Sequence, residues 1–371
     1  MGDLAPPSPL YSMPAEWEPH DATWICWPHN PDDWPDKMDE VQVAYLEMVR
    51  HLLPSEDVCI LTSNDHVYQR ASAMLRDAGL DSNRIHFIQQ PTDSSWTRDY
   101  GPMFVRQIES GQLAINQFQF NAWARYPEYA NDNRVSHAMA DFLDLPSVHP
   151  TYHNTPVVLE GGAIDVNGSG VVLTTEQCLL DLSEQVRNPG LTQTDMEAIL
   201  STYLGVSQVI WLGCGIVGDD THGHVDDLCR FVSTDTVVLV GEQDEQDANY
   251  EALRDNRERL ESIRLPNGSP LNVVHLPMPS PVSFRGLRLP ASYANFYIAN
   301  HAVLVPTYKD AQDTVALGIL SDLFPGRDVV GIDAIDLVWG QGSIHCLTQQ
   351  QPCTTTLDSP VNGRMTATAE S

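Results

Sequence analysis

A hairpin pattern that recurs along the chain constrains the fold more than any other feature of the sequence. Each copy contains an acidic or polar cluster, an apolar strand, a short turn and a second apolar strand. The residues that open the four copies are 61, 66 and 69 positions apart, at Asp99, Glu160, Asp226 and Asn295. The Asn-Gly turn at 167–168 is the strongest hairpin signal among them. This spacing predicts a repeated supersecondary unit.

Stretches with helical periodicity separate the hairpins. Apolar residues recur at helical spacing over 35–53, 134–143, 192–204, 242–260 and 310–323. Several of these stretches precede a short apolar strand, so each unit contains two strands, a helix and a further strand. A ring of about five such units would bury a core that no single unit could bury. Alternating strands and helices would otherwise predict an open doubly wound α/β sheet, but the hairpins favour the ring.

Length and composition indicate an ordinary globular protein. The chain has 371 residues, of which 42% are hydrophobic and 19% charged. Its seven cysteines are odd in number and scattered without a CxxC pair, which argues against a disulfide framework and a structural zinc site. We see neither a signal peptide nor a membrane-spanning stretch, so we expect a cytoplasmic protein with no membrane partner. We expect 1–371 to form one catalytic domain with a polar tail from about residue 354.

The net charge of −30 limits the possible partners. Only Lys37 and Lys309 are lysines, and the other 18 basic residues are arginines. Nucleic acid would be repelled by such a field, so we exclude that class of partner. A cationic substrate would be attracted. We nevertheless favour adaptation to a salty cytoplasm as the main cause of the acidity, because salt screens distant charges.

Two segments carry the side chains best suited to covalent and acid–base chemistry. Cys346 lies between apolar Ile344 and Leu347, and we interpret this segment as a short strand that presents a thiol. A thiol is well suited to attack an electron-poor carbon at neutral pH. His224 and Asp226 are two positions apart, so on a strand they would share one face. Together they would provide a proton carrier beside a fixed anion.

Two further carboxylates complete a predicted site. Asp99 lies where a strand begins, and Glu160 precedes two glycines that permit close approach to the backbone. Corresponding positions of successive units would converge on the axis of a ring. A guanidinium is planar and cationic, and its N–H groups pair with carboxylates. The set therefore predicts attack on a guanidinium carbon by Cys346, whereas its neighbour His345 would point to the opposite face of the strand, away from the site.

A metal site is an alternative interpretation of the same region. His222, His224 and Asp226 form an HxHxD motif of ligand-type side chains. Without a further ligand cluster this motif is a weak indication of metal binding, and a solvated polar turn explains it as well. A non-enzymatic propeller that binds a metal or another ligand therefore remains open.

The sequence resembles the agmatine deiminase family of guanidino-modifying enzymes. The resemblance extends from about Met13 to Pro352 and is carried by Trp96-Thr-Arg-Asp-Tyr-Gly-Pro102, Glu160-Gly-Gly162, Arg187-Asn-Pro189, Gly223-His-Val-Asp226, Asn295-Phe-Tyr297 and Ile344-His-Cys-Leu-Thr-Gln-Gln-Gln-Pro352. It implies the pentein fold, a five-bladed α/β propeller with pseudo-fivefold ββαβ repeats around a central active site. The chain departs from the family at Gln341 and Ser343, where relatives are richer in glycine.

The resemblance implies a role for each candidate residue. Cys346 would attack as nucleophile and form a covalent thiouronium intermediate. His224 would transfer protons, and Glu160 would orient His224. Binding of the substrate is implied for Asp99, Asp226 and Trp96.

The implied reaction is hydrolysis of agmatine to N-carbamoylputrescine and ammonia, a step in putrescine biosynthesis. No metal and no organic cofactor are implied, and the expected assembly is a homo-oligomer, either a dimer or a tetramer. Deiminases of arginine, methylarginine or peptidyl-arginine remain alternatives, as do amidinotransferases. An α-carboxylate on the substrate would require an arginine in the pocket, and the sequence singles none out.

Overall fold

A computed structural model describes residues 10–354, and its strands are mostly short. In chain order they are β1 Tyr11–Ser12, β2 His20–Cys26, β3 Asp57–Thr62, β4 Ile85–Gln89, β5 Met103–Gln107, β6 Leu113–Asn116, β7 Ser147–Val148, β8 Thr151–Tyr152, β9 Thr155–Pro156, β10 Asp165–Val166, β11 Val171–Thr175, β12 Gln208–Leu212, β13 Cys229–Phe231, β14 Thr236–Gly241, β15 Asn272–Pro277, β16 Ser283–Phe284, β17 Leu287–Arg288, β18 Tyr297–Ile298, β19 Ala302–Thr307, β20 Asp328–Asp333 and β21 Thr348–Pro352. The predicted polar tail lies outside the described residues, apart from its first residue.

Helices connect these strands. They are α1 Met38–Leu52, α2 Asp65–Asp77, α3 Thr97–Tyr100, α4 Val135–Leu143, α5 Glu176–Leu180, α6 Gln193–Leu204, α7 Tyr250–Glu261 and α8 Gln312–Leu323. The five predicted helical stretches are confirmed, but α7 begins later than the predicted start at residue 242. Carboxylates of Glu242 and Asp247 accept hydrogen bonds from backbone N–H groups of the next residues, and such local bonds favour turns over a helix.

The four predicted hairpins are confirmed as antiparallel pairs, namely β5–β6, β10–β11, β13–β14 and β18–β19. After each hairpin the chain passes through one or two helices into a strand that pairs in parallel with the second hairpin strand. A fifth sheet joins the two ends of the described chain. In this sheet β21 pairs antiparallel with β2, which pairs in parallel with β3, and β4 lies beyond β3. The architecture is therefore mixed α/β, with five sheets of one plan.

The middle strand of each sheet is buried. Positions 237–240 of β14 and 302–306 of β19 are buried without alternation, as expected for strands covered on both faces. Amphipathic helices supply one cover, for example through Ala316 and Leu320 of α8, both fully buried. No helix between residues 10 and 354 combines the length and the apolar content that a bilayer span requires.

Leu304→Ala should lower the free energy of unfolding by about 2–5 kcal/mol, because Leu304 is fully buried in β19 and its loss leaves a cavity. Leu182 is 74% exposed, and Leu182→Ala, the matched control, should change stability by less than about 0.5 kcal/mol. Urea denaturation measures both values. Similar losses in the two variants would contradict this assignment of the core.

Candidate active site

The structure brings the predicted thiol, imidazole and three carboxylates into one buried cluster. The Nδ1 atom of His224 lies 3.7 Å from Asp99 Oδ1, and its Nε2 lies 3.9 Å from Glu160 Oε2. The Sγ atom of Cys346 lies 3.7 Å from Asp226 Oδ2. None of the five residues is more than 5% exposed. Their predicted convergence is therefore observed.

Gly162 lies at the centre of this cluster. A Cβ atom there would lie 2.5 Å from His224 Nδ1, 2.8 Å from Asp99 Oδ1 and 3.1 Å from Asp226 Oδ2. The Gly162 N–H donates a hydrogen bond to Asp99 Oδ1 at 3.0 Å. Only glycine allows this approach, so the role predicted for the glycines after Glu160 is confirmed here.

Cys346 lies in a turn, and the prediction of a strand at this position was wrong. Residues 344–347 form the turn immediately before β21. The Asn295 side chain accepts a hydrogen bond from the His345 N–H at 3.0 Å. A side chain that binds the backbone in this way takes the place of a strand partner.

His224 and Asp226 do not lie on a strand either. His224 precedes the 3₁₀ turn Val225–Asp227. Asp219 Oδ2 accepts hydrogen bonds from the N–H groups of Gly223, at 2.7 Å, and His224, at 3.0 Å. The turn, rather than the alternation of a strand, directs both side chains into the site.

The prediction that His345 points away from the site was also wrong. Its Nδ1 lies 2.7 Å from Asp226 Oδ2, and its Nε2 lies 2.8 Å from Glu16 Oε2. The prediction assumed the alternating side-chain directions of a strand, which a turn does not follow. His345 is therefore a direct neighbour of a site carboxylate.

Burial and mutual charge govern the ionisation of the site. Burial raises the pKa of Asp99 to about 6, although the charge of His224 opposes the rise. Burial by itself would lower the pKa of His224, but Asp99 and other neighbours raise it well above its usual range. Burial also raises the pKa of the Cys346 thiol well above its usual range, and nearby carboxylates add to this effect. A cation bound among these groups would lower the thiol pKa.

Arg187 holds the carboxylate of Glu160. Its Nε donates a hydrogen bond to Glu160 Oε1 at 3.1 Å, and both side chains are fully buried. Within residues 10–354, neither Glu160 Oε2 nor the ring nitrogens of His224 have a hydrogen-bond partner. Arg187 thus fixes one oxygen, and the other faces His224.

Asn295 belongs to the site, although the sequence indicated it only as a repeat marker and as part of a family motif, without a role in the site. Its Nδ2 donates hydrogen bonds to Cys346 Sγ at 3.1 Å and to Asp227 Oδ1 at 2.9 Å. Its position in the fourth hairpin corresponds to those of Asp99 and Glu160 in the earlier hairpins. That correspondence could have identified Asn295 in advance.

Trp123 also belongs to the site and had no indication in the sequence. Its Nε1 donates a hydrogen bond to Asp99 Oδ2 at 3.0 Å. Ala122, Trp123 and Ala124 have φ values of 50°, 57° and 52°. This left-handed conformation costs about 1–2 kcal/mol per residue outside glycine, so surrounding contacts must maintain it.

Trp96 packs against a glycine-rich segment near the thiol. Cβ atoms at Gly340 and Gly342 would lie 2.9 Å and 2.6 Å from the Trp96 ring. Gln341, between them, has φ +73°, in the region that favours glycine. Gln341, where this sequence departs from the glycine-rich pattern of its relatives, therefore has a backbone conformation that favours glycine.

The HxHxD motif does not gather its three side chains around one point. The Nε2 of His222 lies 2.8 Å from Asp181 Oδ2. In the described part of the chain, the buried groups of ligand-type side chains are Glu160–Cys178–His224 and Asp226–Asp227–Cys346. The geometry therefore does not favour the metal site that the motif left open as an alternative.

The site opens into a cavity of about 620 Å³. Cys346, Asp99, Trp96 and Trp123 line it. Further carboxylates in the lining are Asp32, Asp33, Asp93, Glu128, Asp132 and Asp220. Among the described residues that line the cavity, Arg285 is the only lysine or arginine. The cavity is therefore suited to a cation.

Known proteins resemble this chain over nearly its full length. Residues 12–352 match the model of the Porphyromonas-type peptidyl-arginine deiminase family. The agmatine deiminase of Stutzerimonas stutzeri (strain A1501) is 34% identical, over 92% of this chain and 95% of that protein. The structure of the Enterococcus faecalis agmatine deiminase has a TM-score of 0.84 at 31% identity, over 93% and 97% of the two chains. A C. jejuni agmatine deiminase with a cysteine-to-serine change and bound substrate has a TM-score of 0.82 at 29% identity, over 96% and 100%.

The mixed α/β fold is that of the pentein superfamily, as the resemblance implied. The chain belongs to the Porphyromonas-type peptidyl-arginine deiminase family, among relatives named agmatine deiminase.

Arg187→Met should lower the free energy of unfolding by about 3–5 kcal/mol, because it leaves the fully buried Glu160 carboxylate without its cation. Arg254 pairs with Glu251 and Glu258 on an exposed helix face, so Arg254→Met should cost less than about 1 kcal/mol. Urea denaturation compares the two variants. Equal stabilities would show that the Arg187–Glu160 pair does not support the site.

Proposed function

We propose that this protein hydrolyses agmatine to N-carbamoylputrescine and ammonia. The convergence of Cys346, His224, Asp99 and Asp226 in one buried cluster carries the proposal, and Cys346 and Asp99 connect this cluster to the acidic cavity that they line. Carboxylates on either side of a guanidinium would bind its N–H groups and fix its plane. Relatives of similar length that are named agmatine deiminase support the choice of substrate.

The guanidinium of the substrate is held by Asp99 and Asp226. Asp226 Oδ1 is buried and has no hydrogen-bond partner between residues 10 and 354, so it is free to accept one from the substrate. Trp123 and Gly162 fix the Asp99 carboxylate by donating to its two oxygens. Trp96, which also lines the cavity, stacks against the planar cation.

The first chemical step is attack by the Cys346 thiolate on the guanidinium carbon. The bound cation lowers the thiol pKa, and the Asn295 amide stabilises the sulfur through its hydrogen bond. An S–C bond forms and one C–N bond breaks. His224, cationic beside Asp99, gives its proton to the departing nitrogen, which leaves as ammonia. The product of this step is a thiouronium intermediate on Cys346.

Water completes the reaction. His224, now neutral, accepts a proton from water while the oxygen attacks the thiouronium carbon. The C–S bond then breaks and the thiolate is restored. The carbon-bound hydroxyl loses its remaining proton to solvent, and the neutral ureido group of the product leaves the site. Glu160, held by Arg187, orients and stabilises the imidazolium of His224, the role that the third residue of a catalytic triad performs.

The whole chain forms a single catalytic domain in this proposal, with its five sheets in a ring around the site. The support is positional, because five of the site residues lie two to five positions before a strand, and each of these strands belongs to a different sheet. These residues are Asp99 before β5, Glu160 before β10, Asp226 before β13, Asn295 before β18 and Cys346 before β21.

We also retain the predictions of a homo-oligomer, to be measured by analytical ultracentrifugation, and of a role in putrescine biosynthesis.

The distal ammonium of agmatine is bound by Asp220. The carboxylates of Asp93 and Asp132 accept hydrogen bonds from backbone N–H groups, whereas the carboxylate of Asp220 accepts only from the Tyr126 hydroxyl, at 2.6 Å, among the residues described. Burial raises the pKa of Asp220 to about 6, which leaves it mostly ionised at neutral pH. Burial raises the pKa of Asp33, the other candidate, to about 7, so Asp33 is a weaker partner for a cation.

The same lining disfavours substrates that carry an α-carboxylate. Six carboxylates and one guanidinium, that of Arg285, line the cavity beyond the reacting groups. Free arginine would place its carboxylate in this negative field. A panel of agmatine, arginine, methylarginine and a peptidyl arginine tests this choice, and we expect a ureido product only from agmatine.

Cys346→Ala and Cys346→Ser should abolish ammonia release from agmatine, a loss of at least about a thousandfold, because no covalent intermediate can form. Cys214→Ala, which changes an exposed thiol, is the matched control and should retain full activity. Mass spectrometry of the wild-type enzyme, quenched during turnover, should show the adduct on Cys346. Activity in either Cys346 variant would disprove the mechanism, and a stoichiometric metal with activity lost on chelation would favour metal chemistry.

Asp220→Asn should raise the KM for agmatine about ten- to a hundredfold, because it removes a charged partner of the distal ammonium. Butylguanidine lacks this ammonium, and its kcat/KM should be unchanged by Asp220→Asn. In the wild-type enzyme the KM for agmatine should rise as the pH falls below about 6, where Asp220 becomes protonated. Steady-state kinetics with both substrates measure these effects.

Asp32→Asn, at the exposed edge of the cavity, is the control and should raise the KM for agmatine less than about threefold. An equal loss with agmatine and butylguanidine in Asp220→Asn would show that Asp220 does not bind the amine.

A further inference from the structure

We propose that His345 is a positioning residue that fixes Asp226 and balances its charge beside the Cys346 thiol. It does so as part of a buried chain of alternating charges that begins at Glu16. The consequence for catalysis rests on the proposed function, but the geometry and the reactivity of the thiol do not.

The ring of His345 joins two carboxylates. Its Nδ1 lies 2.7 Å from Asp226 Oδ2 and its Nε2 lies 2.8 Å from Glu16 Oε2, and the side chain is 2% exposed. A neutral imidazole has one N–H and can donate to only one of them. Two ionised carboxylates at these distances therefore require a proton on each ring nitrogen, and His345 carries a positive charge.

Glu16 anchors the far end of this chain. Its carboxylate pairs with Arg230 at 3.0 Å and Arg98 at 3.3 Å, and it accepts a hydrogen bond from the Ile298 N–H at 2.8 Å. Burial would raise the pKa of Glu16, but the charges of Arg230, His345 and Arg98 hold it well below its usual range. Glu16 is thus an ionised, immobile partner for His345.

His345 fixes the orientation of Asp226 and balances its charge. Its Oδ2 is held by His345, whereas its buried Oδ1 has no partner between residues 10 and 354 and is left for the substrate. Burial would raise the pKa of Asp226, but the hydrogen bond and the charge of His345 lower it. Without His345, the carboxylate would lose both its fixed direction and the cation that balances its charge.

His345 also influences the ionisation of the Cys346 thiol, through Asp226 Oδ2. Cys346 Sγ lies 3.7 Å from Asp226 Oδ2, so the charge on that oxygen opposes formation of the thiolate. An imidazolium 2.7 Å from the oxygen offsets part of this repulsion. Ionisable groups near the thiol are Asp99, Asp226, Asp227 and Tyr308, with His224 beside Asp99 and His345 beyond Asp226. Those near His345 are Asp226, Glu16 and Arg98, with Arg230 beyond Glu16.

His20 provides a matched control. It is also buried, with its Nε2 2.7 Å from the Glu16 carbonyl oxygen and its Nδ1 3.4 Å from Glu56 Oε1. It makes no hydrogen bond to Asp226 or Cys346. His20→Gln therefore reproduces the loss of a buried, hydrogen-bonded imidazole without a change beside the thiol.

The test compares His345→Gln with His20→Gln through alkylation of Cys346 by iodoacetamide across pH, followed by mass spectrometry of the Cys346 peptide. This readout needs no turnover. Loss of the imidazolium leaves Asp226 uncompensated, so the thiolate forms at higher pH. We expect the midpoint of the pH profile to rise by about one unit or more in His345→Gln, which slows alkylation about tenfold at neutral pH. We expect no resolved shift in His20→Gln.

Steady-state kinetics with agmatine supply the second readout. His345→Gln should lower kcat/KM at least about thirtyfold, with a rise in KM, because Asp226 no longer holds a fixed direction. His20→Gln should stay within about twofold of wild type. An unshifted alkylation profile in His345→Gln, or equal effects in both variants, would overturn the inference.

A measurement on the wild-type protein covers the case in which His345→Gln does not fold. Long-range ¹H–¹⁵N NMR spectra at neutral pH should show a proton on both ring nitrogens of His345, and a single protonated nitrogen would overturn the charge-balancing role. If wild-type enzyme does not release ammonia from agmatine while the alkylation profile shifts as expected, the proposed function fails and the positioning role stands.

Discussion

Burial of several carboxylates beside one thiol is the constraint on which the rest of this structure depends. Asp99, Glu160 and Asp226 are almost fully buried, and an isolated buried carboxylate would become protonated rather than stay ionised. Each has its own compensation. Arg187 balances Glu160, His345 balances Asp226, and the imidazolium of His224 lies beside Asp99. A bound guanidinium would add the missing positive charge at the centre, so the site is organised around a cation.

The repeated architecture explains how five distant segments reach one place. The chemical groups lie in short non-strand segments, each just before a strand of a different sheet. Because such segments are not tied into a strand ladder, a local hydrogen bond such as that from Asn295 to the turn at 344–347 can set their direction. The last sheet includes β2 and β21, so the two ends of the described chain meet. Glu16 and His345 then come into contact.

Much of the fold and the site could be predicted from the sequence because the relevant patterns are local. The hairpins follow from alternating apolar residues and turn residues, and the helices follow from a 3.6-residue period. Cys346, His224 and the carboxylates stand out by residue type within recurring positions. The backbone at His224 was predicted incorrectly because the nearby Asp219 side chain binds the N–H groups of a turn. The backbone at Cys346 was predicted incorrectly because Asn295, from a distant segment, binds it in a turn. His345 was misassigned for that reason, and Trp123 was missed because its left-handed backbone depends on tertiary contacts.

The sequence by itself determined the repeated hairpin and helix plan, the acidic character and the residue types available for attack on a guanidinium. These depend on neighbours along the chain, where periodicity and turn chemistry act. Only the tertiary structure decided which cations balance which carboxylates, because Glu16 meets Arg98, Arg230 and His345, which lie between 82 and 329 positions further along the chain. Such pairings depend on distance and burial in three dimensions, and electrostatic interactions are strong only where the fold excludes water.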